Sequence, residues 1–252
     1  MHLLCITRTC SIHALFIDYS IWLNSMNQKV ALSKSYLNYL NNTEVVEIKS
    51  LLPHEDINSK RLIRTLKAIK FEEGLMKPII IDSKKGIVID GHHRLKALML
   101  LGVKYVPVLV ADYYKDIVDI NSWMYIKSKR KISYRDIILL VESIEALSKR
   151  GSNHVIVKLG ESTYEIKVDS IDFYFVLKNY INSINKLGLT KRPTNTALCL
   201  ANDICIAMPK LSVNDIYKLV SKNDVLPPRT TYHITPLKYV KIFYPLKALS
   251  GV

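Results

Sequence analysis

The sequence predicts an α/β fold, an α+β arrangement with a mixed sheet, followed by a second α/β domain packed against the first. Three observations predict it. Strand-like and helix-like segments alternate within about 70 residues between Glu44 and Val110. Inside that block an apolar strand, Val88-Ile-Asp90, runs through Gly91 directly into a helical pattern. Beyond it, helix and hairpin signals begin again from Ser133 with no Ser/Gly linker and no internal repeat between the regions.

The elements follow in order. Glu44-Val-Val-Glu-Ile-Lys-Ser-Leu51 alternates as a half-buried strand, after a helix-like stretch from Ala31 to Leu40. Leu62, Ile63, Leu66, Ile69 and Phe71 recur at helical spacing over Ser59–Glu73, and Gly74 stands as the stop. Lys77–Asp82 and Ile87–Asp90 are short apolar strands joined by Ser-Lys-Lys-Gly, a hairpin signal. A helix from Gly91 to Leu101 ends at Gly102 before a strand over Val106–Val110. In the second region Ser133 caps a helix reaching Arg150, residues 154–160 and 163–168 form a hairpin, and a helix spans Ile171–Leu187. Thr196–Ala207 suits a buried strand and Val213–Val220 a helix capped by Ser212, whereas the prolines of Val225–Pro236 disfavour regular structure. The expected division is an extension over 1–43, a nucleotide-binding domain over 44–113 and a second domain over 114–252.

Composition narrows the function classes. The chain has 252 residues, 49% hydrophobic and 23% charged, which excludes a disordered protein, and its 8 Gly and 9 Pro exclude a collagen-like one. Lys and Arg number 36 against 22 Asp and Glu, a formal charge of +14 that calls for an anionic partner: nucleic acid, a membrane surface or a small phosphorylated ligand. No run of about 18 apolar residues exists, so no spanning helix and a cytoplasmic protein are expected. Residues 1–25 lack the ordered parts of a signal peptide, and Met26 is an alternative native start. Cys5, Cys10, Cys199 and Cys205 show no metal-binding spacing and are expected as reduced core thiols.

The chemistry concentrates at Asp90-Gly-His-His-Arg94. A glycine turn from strand into helix offers backbone N–H groups and the positive end of the helix dipole to phosphate. His92 and His93 add donors, Arg94 can grip phosphate oxygens in a bidentate way, and Asp90 can hold Mg²⁺.

This motif, with Leu101-Gly-Val-Lys-Tyr-Val-Pro-Val108 behind it and Lys77-Pro-Ile ahead of it, resembles the ParB/sulfiredoxin-like nucleotide-binding domain over residues 44–113. Within that superfamily three further features resemble the free L-serine kinases: Pro53-His-Glu55 after the first strand, Trp123 in Ile120-Asn-Ser-Trp, and Pro228-Arg-Thr-Thr-Tyr-His-Ile-Thr-Pro236. The last is similar to a Lys-Thr-Thr-Arg-His segment, with Arg229 for the lysine and Tyr232 for the arginine. The resemblance implies phosphorylation of free L-serine to O-phospho-L-serine by a purine nucleotide, ADP or ATP, with Mg²⁺. It implies Glu55 and Asp90 as catalytic groups, Asp90, Gly91, His92, His93 and Arg94 as phosphate cradle, and Trp123, Arg229, Thr230, Thr231 and His233 around the serine. His54 is expected to orient Glu55.

Three other readings compete. A ParB-like DNA-binding, nuclease or CTP-dependent partition protein would use the basic run Lys127–Arg135, but a hairpin stands where partition proteins carry a helix-turn-helix. A sulfiredoxin would need a cysteine in the glycine turn, where this chain has His92. A non-catalytic nucleotide sensor would bind nucleotide in the same pocket without needing Glu55. The charge is therefore expected to serve a nucleotide and not a nucleic acid or a membrane.

Overall fold

The computed structural model describes residues 42–128, 134–147, 151–194, 199–200 and 203–249. The helix expected over Ala31–Leu40, the Ser133 cap and most of the basic run lie outside them.

The β-branched residues of the first block build its sheet. β1 (Thr43–Glu47) leads through a 3₁₀ turn, Ile48–Ser50, and an extended segment into α1 (Ser59–Phe71). β2 (Gly74–Leu75), β3 (Ile79–Asp82) and β4 (Val88–Asp90) precede α2 (His92–Leu100), and β5 (Tyr105–Ala111) follows it. The sheet order is β1-β5-β3-β4, with β3 and β5 parallel and the outer pairings antiparallel, the mixed sheet that the sequence predicts. All four residues of β3 are buried, as a central strand covered on both faces requires. Helix α2 buries Leu95, Ala97 and Leu98 and packs on α1.

A second sheet follows. After β6 (Asp119–Asn121) come β7 (Trp123–Ser128), α3 (Tyr134–Leu147), the hairpin β8 (Asn153–Leu159) and β9 (Ser162–Val168), and α4 (Ser170–Lys186). β10 (Thr190–Pro193) and β11 (Asp203–Ala207) complete it, followed by α5 (Val213–Ser221), β12 (Tyr232–Ile234) and, near the C-terminus, β13 (Tyr244–Pro245). The order β10-β7-β11-β8-β9 is antiparallel throughout. α5 begins with a complete capping box, Ser212 with Asp215.

Two small pairings engage the C-terminal segment: β12 pairs with β6, and β13 returns to the first block on β2. Both sheets belong to one unit beginning at Asn42. No helix among the described residues is long and apolar enough to cross a membrane.

Some expectations change. The left-handed stop of α1 falls on Glu73, φ +49°, not on Gly74. Gly74 is small for another reason: a Cβ there would stand 2.7 Å from the Tyr244 carbonyl, so a side chain would push β13 off β2. Cys199 and Cys205 form a disulfide where reduced thiols were expected. β6, β7 and β10 appear where the sequence showed no strand, and β12 forms inside Val225–Pro236, which was expected to be irregular, because it pairs with β6; β10 reads Thr-Lys-Arg-Pro, a polar edge without alternation.

Candidate active site

Glu55 lies in the extended segment before α1, and a distant part of the chain decides its environment. The Leu226 N–H donates to the His54 carbonyl at 3.0 Å, and the Asp56 N–H donates to the Leu226 carbonyl at 2.7 Å. This bridge delivers the next turn to the carboxylate. The N–H groups of Arg229, Thr230 and Thr231 donate to Glu55 at 3.0, 3.1 and 2.6 Å, and the Thr231 hydroxyl adds a fourth bond at 2.6 Å. Three consecutive amides can converge on one anion because Arg229 takes a left-handed backbone, φ +58°. The two oxygens are treated unequally. Oε1 accepts three of the bonds, and Oε2 accepts only the Arg229 N–H, which leaves Oε2 able to accept another proton.

His54 is fully buried, and its Nε2 lies 3.0 Å from the Thr231 hydroxyl. That hydroxyl donates to Glu55, so it accepts from His54, which fixes the Nε2–H tautomer. Burial pushes the His54 pKa down to about 3, with His92 adding to the effect. Burial also lowers His92, and it lowers His233 well below the ordinary histidine value. The three imidazoles are therefore neutral, packed edge to face with centroids 4.7 Å (His54–His92) and 5.8 Å (His54–His233) apart. Burial opposes the charge on Glu55, but the hydrogen bonds it accepts from residues 229–231, those of Thr231 above all, favour the carboxylate and outweigh it. The carboxyl sits below its usual range and is ionised at neutral pH.

Around Glu55 opens a cleft of about 610 Å³. Asp90, Gly91, His92, His93, Arg94, Trp123, Arg229, Thr231 and His233, all singled out from the sequence, line it with Glu55. Gly91 caps α2 with φ +111°, so the first-turn N–H groups of that helix and its dipole open at the cleft. The His93 Nε2 accepts the N–H of Asn58, the N-cap of α1, at 3.0 Å and so joins the two helix starts.

Several side chains are engaged differently from the sequence expectation. The Arg94 guanidinium pairs with Asp90 at 2.5 Å and donates to the Lys77 and Pro78 carbonyls at 3.0 and 2.6 Å. Its fork braces the turn before β3 and is not a bidentate grip open to phosphate. Thr230 is 2% exposed; its hydroxyl donates to the Pro227 carbonyl and its N–H to Glu55. The polar groups of Thr231 go to Glu55 and His54, and His233, 1% exposed, meets the Tyr113 hydroxyl at 3.2 Å. Thr230 and Thr231 thus hold the Glu55 carboxylate and His233 packs against His54, where donors to the serine had been expected. Trp123 donates its indole N–H to the Thr231 carbonyl at 2.9 Å and carries the Arg229 guanidinium 5.0 Å from its ring centre.

Arg61, Glu72, Lys77, Tyr232 and Lys238 also line the cleft. Arg61 looked like any polar position of an amphipathic helix, and Lys238 is one of many lysines in a basic chain. Only proximity to the cleft marks either of them. Asp90 shares one oxygen with Arg94 and is partly exposed. A single partly exposed carboxylate beside a helix N-terminus suits Mg²⁺, which takes few protein ligands and completes its shell with water and other oxygens. Among the described residues no cluster of three or more His, Cys, Asp or Glu could hold a metal by itself.

No family model matches the chain. Curated proteins do. An ATP-dependent L-serine kinase of Desulfurococcus mucosus is 23% identical over 231 residues, 81% of this chain and 90% of that protein. The ADP-dependent L-serine kinase SerK of Thermococcus kodakarensis is 24% identical over 223 residues, covering 81% and 91%. A ParB-like protein of Sulfolobus acidocaldarius is 26% identical over 191 residues, covering 76% and 89%. Among solved structures, a free serine kinase in complex with ADP superposes with a TM-score of 0.65 at 20% identity, over 82% of this chain and 94% of that one. The chain is thus similar to L-serine kinases over four fifths of its length and has the fold of a free serine kinase.

Proposed function

We propose that this protein is a free L-serine kinase, which transfers the terminal phosphoryl group of ADP or ATP to the hydroxyl of L-serine and releases O-phospho-L-serine. The observation that carries this reading is the Glu55 carboxylate. It is ionised, held by three successive amides with Oε2 left available, and it shares a cleft with the glycine-capped start of α2. The similarity to L-serine kinases supports the choice of acceptor.

In this reading the nucleotide phosphates lie at the α2 N-terminus, on the N–H groups after Gly91 and beside His92 and His93. Arg94 keeps Asp90 and the Lys77–Pro78 turn in register. The serine hydroxyl passes its proton to Glu55 Oε2 as its oxygen bonds to phosphorus, and the bond from phosphorus to the leaving nucleotide oxygen breaks. Trp123 and Arg229 hold the amino acid, while Thr230, Thr231, His54 and His233 fix the base. Mg²⁺, held by Asp90 together with phosphate oxygens, would neutralise charge on the transferred group.

The test is direct. The full chain with Mg²⁺, L-serine and either ADP or ATP should yield O-phospho-L-serine, read by ³¹P NMR or mass spectrometry. Absence of the product with both nucleotides overturns the reading. The preferred donor emerges from the same experiment.

A further inference from the structure

Four side chains of the cleft form a stack of two cations and two rings. The Arg229 guanidinium stands 5.0 Å from the centre of Trp123, Trp123 meets Tyr232 edge to face at 5.5 Å, and the Lys238 ammonium stands 4.3 Å from the centre of Tyr232. All four line the cleft with Glu55. Neither cation forms an ion pair with a carboxylate among the described residues, and the Arg229 Nε is buried without a hydrogen-bond partner. Aromatic faces can hold cations in place without neutralising them.

The position of Lys238 is built. It lies on a 3₁₀ turn, Pro236–Tyr239, whose start Thr235 caps by accepting the Leu237 N–H. Lys77, itself in the cleft wall, donates to the Lys238 carbonyl at 3.4 Å. Burial lowers the Lys238 pKa, and the carboxylates of Asp90 and Glu55 act against that. A partly desolvated ammonium in the same cleft as Glu55, with no carboxylate paired to it among the described residues, is suited to receive an anion.

The choice of anion follows from what is already engaged. The amides of residues 229–231 and the hydroxyls of Thr230 and Thr231 have partners, so they leave no donors for a carboxylate. Phosphate has the start of α2. In serine the hydroxyl and carboxylate are two carbons apart, so a hydroxyl at Glu55 Oε2 puts the carboxylate close to the same wall. We infer that Lys238, steadied by Tyr232, contacts the substrate and binds the carboxylate of the amino acid together with Arg229. This rests on the serine-kinase reading for the identity of the amino acid.

Steady-state kinetics of the full chain with Lys238→Met and Lys238→Arg test it. Lys238→Met should raise the KM for L-serine roughly tenfold or more while the nucleotide KM stays within about twofold. Lys238→Arg should recover most of the loss. A serine KM unchanged in Lys238→Met overturns the inference, and so does a rise confined to the nucleotide KM, which would place a phosphate at Lys238. Binding separates this failure from failure of the kinase reading. Calorimetric titration with L-serine and with 2-amino-1,3-propanediol, which lacks the carboxylate, needs no turnover. The wild type should prefer L-serine by roughly tenfold and Lys238→Met should lose that preference. Wild-type protein that turns over no serine yet shows this pattern loses the kinase reading and keeps the carboxylate site. Equal binding of the two compounds by the wild type overturns the site whatever the turnover.

Discussion

At the residue scale the two oxygens of Glu55 have separate tasks. Oε1 takes the Thr230 N–H and both Thr231 donors and so anchors the side chain; Oε2 faces one amide only. Replacing the carboxylate by an amide keeps the shape and removes the proton acceptor. Glu55→Gln should therefore lower kcat by roughly 10²- to 10⁴-fold, the usual contribution of general-base catalysis, with nucleotide affinity unchanged. A nucleotide sensor would need no such base, so equal turnover in the variant overturns the role of Glu55. Paired measurement of kcat and nucleotide Kd makes the distinction.

At the element scale the helix starts divide into those that build the site and those that only stabilise the fold. Gly91 opens α2 at φ +111°, and a Cβ there would stand 3.0 Å from the Arg94 guanidinium, which braces Asp90 and the Lys77–Pro78 carbonyls. Gly91→Ala should cost about 1–3 kcal/mol in backbone strain and raise the nucleotide KM, because it displaces the start of α2, where the proposed function puts the phosphates. Ser212 caps α5 with a capping box and takes no part in the cleft. Ser212→Ala should cost about 1 kcal/mol of stability and leave both KM values unchanged. Denaturant melts beside kinetics separate the two; a Gly91→Ala enzyme with wild-type nucleotide KM would remove α2 from the site.

At the scale of the whole molecule a buried junction of neutral histidines joins segments far apart in sequence. His54 precedes α1, His92 begins α2, and His233 lies on β12 against Tyr113. Their pKa values are depressed in the folded state, so from pH 6.5 downward the unfolded chain binds more protons and stability falls with pH. For His54 the window runs from 6.5 down to about 3, at about 1.4 kcal/mol per pH unit. The depressed Glu55 carboxyl adds loss of the same sign at lower pH. Tm followed by circular dichroism should drop between pH 7 and pH 5, and His54→Gln, which keeps a donor toward Thr231, should flatten the slope. A wild-type Tm that holds steady over this interval overturns the account. Part of the formal charge of +14 stands at the cleft, where Arg61, Lys77, Arg229 and Lys238 lie in the wall.

What the amino-acid sequence determined by itself was local. Runs such as Ile79-Ile-Ile-Asp82, the helical spacing of Leu62, Leu66 and Ile69, and Gly91 between strand and helix act over a few residues, so the mixed sheet and the α2 start were legible in it. The polar strand β10 was not, because an edge strand owes its pairing to β7 and not to its own pattern. In the site, the strand–glycine–helix motif pointed to Asp90 and the family resemblance to Glu55 and Trp123, but their partners could not be read. Arg94 turned inward to carbonyls of the preceding turn, and Thr230 and Thr231 turned to Glu55, because hydrogen bonds go to whatever the fold places within 3 Å. Only the tertiary structure brought residues 226–231 to residues 54–56, across 170 positions or more, and stacked Lys238 beyond Trp123 and Tyr232. The Glu55 carboxylate, its support and the cations beside it come from segments that share no local signal, and the pairing of distant backbone alone decides that they meet.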